Sequence, residues 1–163
     1  MSVMTTPETV LHPARKGPRP ITAEDLWAIP RVGSPIPSPD GKRLAVTATT
    51  FDMEKNEGRT RIWLMPAGAP GEAGSGEPVA FTSPDVSSSE PAFSPDGKQL
   101  AFIRKSAASA PNGVAGSAGA AVTMGAGKPQ LWIMPLEGGE PRCLTNLPLG
   151  AFDPKWLPDG SGV

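Results

Sequence analysis

A nine-residue pattern recurs along the chain and limits what it can fold into. Ser38-Pro39-Asp40-Gly41-Lys42-Arg43-Leu44-Ala45-Val46 returns as Ser94-Pro95-Asp96-Gly97-Lys98-Gln99-Leu100-Ala101-Phe102, and Leu157-Pro158-Asp159-Gly160 opens a third copy. Other pieces match in the same order. Arg61-Ile62-Trp63-Leu64-Met65-Pro66 pairs with Gln130-Leu131-Trp132-Ile133-Met134-Pro135, and Glu77-Pro78-Val79-Ala80-Phe81-Thr82 with Glu140-Pro141-Arg142-Cys143-Leu144-Thr145. Pro91-Ala92-Phe93 matches Pro154-Lys155-Trp156. The spacing is 56 residues from Asp40 to Asp96, 69 from Trp63 to Trp132, and 63 both from Glu77 to Glu140 and from Pro91 to Pro154. Those differences fall between pieces, where loops are inserted, so the chain repeats one supersecondary unit of four elements.

Each element reads as a strand. Leu44 and Val46, like Leu100 and Phe102, fall on alternate positions, the period-2 signal of a buried face. The two Trp-containing pieces are apolar at four successive positions, as in a central strand covered on both sides. Between the first two strands Pro presets the turn, Asp bonds nearby backbone, and Gly takes the positive φ that closes a hairpin. Pro66 and Pro135 stand at strand ends, where a missing N–H does least harm. The repeat is therefore a four-stranded antiparallel meander of the size of a propeller blade. A β-sandwich with unrelated Pro-Asp-Gly turns does not require the same four elements in the same order twice.

The expected fold is all-β: an incomplete β-propeller of two blades and the start of a third, with a short N-terminal helix. Residues 1–20 read as a Pro-rich disordered arm. Residues 21–30 read as a helix capped by Thr22, with Asp25 three residues on, and ended by Pro30. The propeller part covers residues 31–163, with blade one at about 33–82, blade two at about 91–145 and the third blade starting at 152–163. The Ala-, Gly- and Ser-rich stretch 105–128 reads as a flexible insertion in blade two. The chain holds 19 Gly and 21 Pro in 163 residues, enough to raise disorder. The repeat assigns many of them to turns and strand ends instead.

The chemistry that can be excluded is broad. Net charge is −1, and no basic block lies outside the short Arg15, Lys16, Arg19 cluster, so no nucleic acid partner is expected. Cys143 is the single cysteine. It rules out an internal disulfide and fits a reducing, cytoplasmic setting, and it reads as a small core residue. Neither a signal peptide nor a membrane span is legible, and no membrane partner is expected. With one Cys and one His no zinc set exists, and no metal or cofactor is expected. Asp40, Asp96 and Asp159 repeat, but each is alone in its turn. Ser75 and Ser117 lack the flanking glycines of a nucleophile elbow, and His12 sits in the arm, so no catalytic residue is assigned. Gly125-Ala126-Gly127-Lys128 has Val122 where a phosphate loop needs Gly and Pro129 where it needs Ser or Thr. The acidic hairpin from Asp52 to Gly58 reads as a solvated connection, and Trp63 and Trp132 as core.

The blade sequence Pro91-Ala92-Phe93-Ser94-Pro95-Asp96-Gly97-Lys98-Gln99-Leu100-Ala101-Phe102, followed by Leu131-Trp132-Ile133-Met134-Pro135, resembles the WD40-like (PD40) blade. That blade is shared by TolB-type propellers and the N-terminal propeller of S9 serine peptidases, the prolyl oligopeptidase family. Ile21 to Trp27 leading through Arg31-Val32-Gly33-Ser34-Pro35 into the first turn is similar to the opening of acylaminoacyl-peptidase-like and dipeptidyl-aminopeptidase-like members. The resemblance covers residues from Ile21 onward. It implies an N-terminal propeller fragment of a serine peptidase, truncated before the α/β-hydrolase domain that carries the Ser-Asp-His triad. Such a piece gates access of short peptides to the hydrolase domain and is inactive alone. It also implies further blades as partners, and self-association through open blade faces in their absence. The other reading is a TolB-like interaction propeller without enzymatic activity.

Overall fold

The Ser-Pro-Asp-Gly-Lys stretch folds alike in both full copies. The computed structural model describes residues 20–68, 74, 76–105 and 127–163. In each turn the glycine N–H donates to the serine carbonyl three residues back, Gly41 to Ser38 and Gly97 to Ser94, both at 2.9 Å. Gly41 and Gly97 take φ of +70° and +67°, a region that a Cβ makes costly. The serines are buried and each hydroxyl both donates and accepts. Ser38 Oγ donates to Asp40 Oδ1 at 2.6 Å and accepts from Arg43 N at 3.0 Å. Ser94 Oγ donates to Asp96 Oδ1 at 2.6 Å and accepts from Gln99 N at 2.9 Å. The same carboxylate oxygens accept from Lys42 N and Lys98 N at 3.1 Å. Asx-type bonding of this kind satisfies turn donors that the ladder cannot reach.

These turns join strands into two antiparallel sheets. The first contains β1 (Arg31–Val32), β2 (Ile36–Pro37), β3 (Arg43–Asp52), β4 (Glu57–Pro66) and β5 (Val79–Ala80), in the order β1-β3-β4-β5 with β2 also on β3. The second contains β6 (Ser88–Phe93), β7 (Gln99–Lys105), β8 (Pro129–Pro135) and β9 (Arg142–Cys143), in the order β6-β7-β8-β9. The regular structure of the described residues is thus mostly β, and neither sheet closes on itself. One short helix, α1 (Ala23–Ala28), precedes them. Its cap is the expected one: Thr22 N donates to Asp25 Oδ2 at 2.9 Å and Asp25 N to Thr22 Oγ1 at 3.4 Å. The Trp27 ring meets Phe51 edge-on at 5.6 Å.

The registers repeat. Leu44↔Met65 and Val46↔Trp63 correspond to Leu100↔Met134 and Phe102↔Trp132, and Trp63↔Ala80 to Trp132↔Cys143. β6 is bulged between Ser89 and Ala92. β1 and β2 correspond to its two halves, because Gly33 N still reaches Thr47 O at 2.9 Å before the chain leaves and rejoins the ladder. The recurring threonine also has a role. Thr82 Oγ1 accepts from Ile62 N at 3.0 Å and Thr145 Oγ1 from Leu131 N at 2.9 Å, so a hydroxyl takes over where the fourth strand leaves the third.

Alternation gives each sheet two unlike faces. Ala45 and Ile62, with half-buried Leu64, point from the first sheet onto Leu100, Phe102, Trp132 and Met134 of the second. The reverse face of the second sheet, Ala101, Ile103 and Leu131 with Ile133, is covered by Ala151 and Trp156 from the third copy. Trp156 Nε1 donates to Ala92 O at 3.0 Å and Asp153 N to Glu90 Oε2 at 2.6 Å. Glu90 and Asp153 share a positive φ, 52° and 49°, so the third copy repeats the backbone irregularity of β6.

The fold predicts which hydroxyls matter. Thr82→Val and Thr145→Val each leave a strand N–H unpaired and should each lower stability by about 1–3 kcal/mol. Thr50→Val, on exposed backbone, should change it by less than about 0.5 kcal/mol. Urea unfolding of the three variants checks the ranking.

Candidate functional site

The chemistry-bearing residues do not converge. Asp40, Asp96 and Asp159 each serve their own turn. In the third turn Leu157 replaces the serine, and Ser161 bonds Asp159 Oδ1 instead, through N at 3.0 Å and Oγ at 2.7 Å. The Ser38 hydroxyl, then the Lys42 N–H, hold Asp40 below the usual carboxylate range. Ser94 and then Lys98 do the same for Asp96, and Ser161 for Asp159. These are bonded turn carboxylates, and among the described residues no three His, Cys, Asp or Glu side chains gather to hold a metal.

The acidic hairpin is likewise satisfied internally. Asp52 Oδ1 accepts from Glu54 N at 3.0 Å and Lys55 N at 3.1 Å, and Lys55 Nζ lies 3.3 Å from Asp52 Oδ2. Cys143 is half-buried; burial raises its thiol, and Sγ donates to Thr145 O at 3.1 Å. That environment opposes thiolate formation. His12, Ser75, Ser117, Gly125 and Ala126 lie outside the described residues.

Trp132 is core, 6% exposed, and its Nε1 is buried without a hydrogen-bond partner among the described residues. Trp63 is only half-buried, with the Arg61 guanidinium 5.1 Å over its ring. Arg104 was not singled out by sequence. It is 9% exposed, donates from Nε to Ser88 Oγ at 3.1 Å, and lies 5.3 Å from the Phe102 ring and 5.4 Å from Trp132. Burial lowers its pKa, but guanidinium stays charged in proteins. The first repeat has Ala48 facing Val32 at the matching positions, and this departure from the repeat is the signal that could have found it. An open groove of about 370 Å³ runs between the rim of the first sheet and Leu136. Lys42, Arg43 and Glu77 line it beside Leu64 and Met65, a mixed surface without a nucleophile–base pair.

What the described residues define is a repeat protein of stacked antiparallel sheets whose polar residues serve the turns and seams. No helix among them is long and apolar enough to cross a membrane. No protein-family model matches the chain. A protein of Bacillus subtilis (strain 168) named uncharacterized peptidase YuxL is 35% identical over 143 residues, which is 88% of this chain and 18% of the relative. The chain thus spans less than a fifth of that relative's length.

The carboxylates give a pH prediction. Their pKa values are lowered by folding, so the stability they contribute is fully present above the ordinary Asp value of about 3.9. It is lost as pH falls through the lower folded values. Asp96→Asn keeps an oxygen acceptor but cannot titrate, and should flatten the loss of stability below about pH 4. Urea midpoints from pH 7 down to about pH 2.5 compare the variant with the parent; parallel profiles would contradict the assignment.

Proposed function

We propose that this chain is the propeller-type, non-catalytic part of a longer serine peptidase of the S9, prolyl oligopeptidase class. There it restricts which substrates reach a separate hydrolase domain and takes no part in bond cleavage. The observation that carries the reading is the repeated sheet-to-sheet relation. The second sheet sits on the first as the third copy sits on the second, each with bulky residues, aromatic ones among them, against a face of Ala, Ile and Leu. One step repeated in this way generates a radial array of sheets of the kind that surrounds a narrow passage. The peptidase name of a relative matched over 88% of this chain supplies the chemistry of the parent. The single histidine, His12, leaves little for a triad within these residues, and short peptides are the substrate class that a narrow passage admits. The lone cysteine suits a reducing cytoplasmic setting.

The test reads both the chain and its gene. The purified 163 residues should leave a chromogenic acyl-alanyl anilide intact and take no label from a fluorophosphonate probe. The coding sequence around them should run into further x-Pro-Asp-Gly repeats and a Gly-x-Ser-x-Gly elbow. Repeats without such an elbow would favour a TolB-like interaction propeller, and hydrolysis by the chain alone would contradict both.

A further inference from the structure

The second repeat departs from the first at one cross-strand pair. Leu44, Val46 and Ala48 of β3 correspond to Leu100, Phe102 and Arg104 of β7, and Val32 opposite Ala48 corresponds to Ser88 opposite Arg104. The first copy builds the same ladder with alanine, so the sheet itself does not require a guanidinium there. Burying one is costly unless it is paired, yet Arg104 is 9% exposed. No described carboxylate forms an ion pair with it. Residues 106–126, which follow β7 in the sequence, contain neither Asp nor Glu.

Its neighbours fix the orientation of the guanidinium without neutralising it. Ser88 Oγ accepts from Nε at 3.1 Å and donates to Val86 O at 3.4 Å. The Phe102 and Trp132 rings hold the charge at 5.3 and 5.4 Å, within cation–π range. Gln130, opposite Arg104 in the ladder, is committed elsewhere: its Oε1 accepts from Thr145 Oγ1 and Leu147 N, and its Nε2 donates to Leu147 O. Nη1 and Nη2 of Arg104 donate to no described residue. Trp132 Nε1 is the one described side-chain nitrogen that is fully buried without a partner, so both terminal nitrogens of Arg104 reach solvent.

The position lies on the narrow side of the stack. Among the described strands, the backbones of the two sheets approach along β6, beside β2, β3 and β4. Ser88 begins β6, and Arg104 is next to it on β7. Thr60 N donates to Ser87 Oγ at 3.2 Å, which brings the matching end of the first sheet to the same place. There alternation puts Thr47, Thr49 and Thr60 on the face of Ala45 and Ile62, with the Thr49 and Thr60 hydroxyls 2.8 Å apart. The seam therefore changes from apolar to hydroxyl-bearing at the end where Arg104 opens.

We propose that Arg104 is a binding site for the carboxylate of a peptide. With Nε held by Ser88, the remaining donors form an end-on fork, Nη1 and Nη2, that matches the two oxygens of a planar carboxylate. The proposal rests on the reading above, in which the chain borders a passage for short peptides, and it names the group by which such a peptide is held. Both walls of the site belong to this chain, so the site does not depend on further repeats.

Side-chain proton–nitrogen spectra of the purified 163 residues test it. Acetyl-Ala-Ala-Ala with a free carboxylate should shift the Arg104 Nε–H and Trp132 indole N–H signals saturably, and its C-terminal amide should not. Acetyl-Glu-Ala-Ala-amide identifies the source of the group: a response assigns the fork to acidic side chains as well, and none restricts it to a chain end. Arg104→Met removes the charge, and Arg104→Lys keeps the charge but loses the fork. Both variants should retain a cooperative urea transition and weaken binding about tenfold or more, read on the Trp132 indole. Equal responses to acid and amide overturn the proposal without any variant. So does saturation by inorganic phosphate as tight as by the peptide, or unchanged affinity in Arg104→Lys. Each of these failures leaves the gene and fluorophosphonate results standing, so the carboxylate site and the peptidase reading are decided separately.

Discussion

Register is the constraint on which the structure depends, and the buried serine of each full turn helps to set it. A slip of one residue would send every side chain of a strand to the opposite face. The hydroxyl of Ser94 ties Asp96 within the turn to Gln99 at the start of the next strand, and Gly97 supplies the positive φ that the turn needs. Ser38 and Gly41 do the same in the first copy. With the turn fixed, Ala45 and Ala101 face forward in the series while Leu44 and Leu100 face back. The large side chains of each sheet then fill the space left by the small ones of the sheet before it.

That asymmetry explains why the sheets stack as a directed series. Two identical bulky faces would collide, and two small ones would leave a void, which costs stability in proportion to its volume. Phe102 and Trp132 fit because Ala45 opposes them, and Trp156 fits because Ala101 and Ala92 do. Hydrogen bonds refine the arrangement. The indole of Trp156 finds the Ala92 carbonyl, whereas the indole N–H of Trp132 has no hydrogen-bond partner among the described residues. A buried unpaired donor costs about 1–3 kcal/mol, comparable with what burial of one large side chain contributes. Burial of the Trp132 ring thus offsets its unsatisfied N–H at that seam.

Much of this was legible in the sequence because repetition separates signal from coincidence. The Pro-Asp-Gly turns, the apolar strands around Trp63 and Trp132, and the Thr22 cap are local patterns with local causes. The role of Ser38 and Ser94 was not legible, since a serine before Pro-Asp-Gly reads as generic turn composition until its hydroxyl is seen bridging to the next strand. β6 begins at Ser88, upstream of the Pro91 where the apolar pattern becomes visible, because the bulge at Glu90 breaks the alternation by which a strand is recognised. Thr82 and Thr145 recur for a reason that depends on where the fourth strand departs, a tertiary fact. Arg104 was missed because a charged residue inside an apolar strand reads as exposed, and only the stacked rings of Phe102 and Trp132 reveal its burial. The repeated turn aspartates were explained in full only by their hydrogen bonds to the turn serines and the following N–H groups.

The stacking of the turns, Pro39 on Gly97 and Pro95 on Gly160, is open to a direct measurement. Nuclear Overhauser spectra of the isotopically labelled chain should show contacts from the Pro39 δ-protons to the Gly97 α-protons and, equally, from the Pro95 δ-protons to the Gly160 α-protons. Both follow if one sheet-to-sheet step is repeated along the chain. The first contact without the second, or neither, would contradict it.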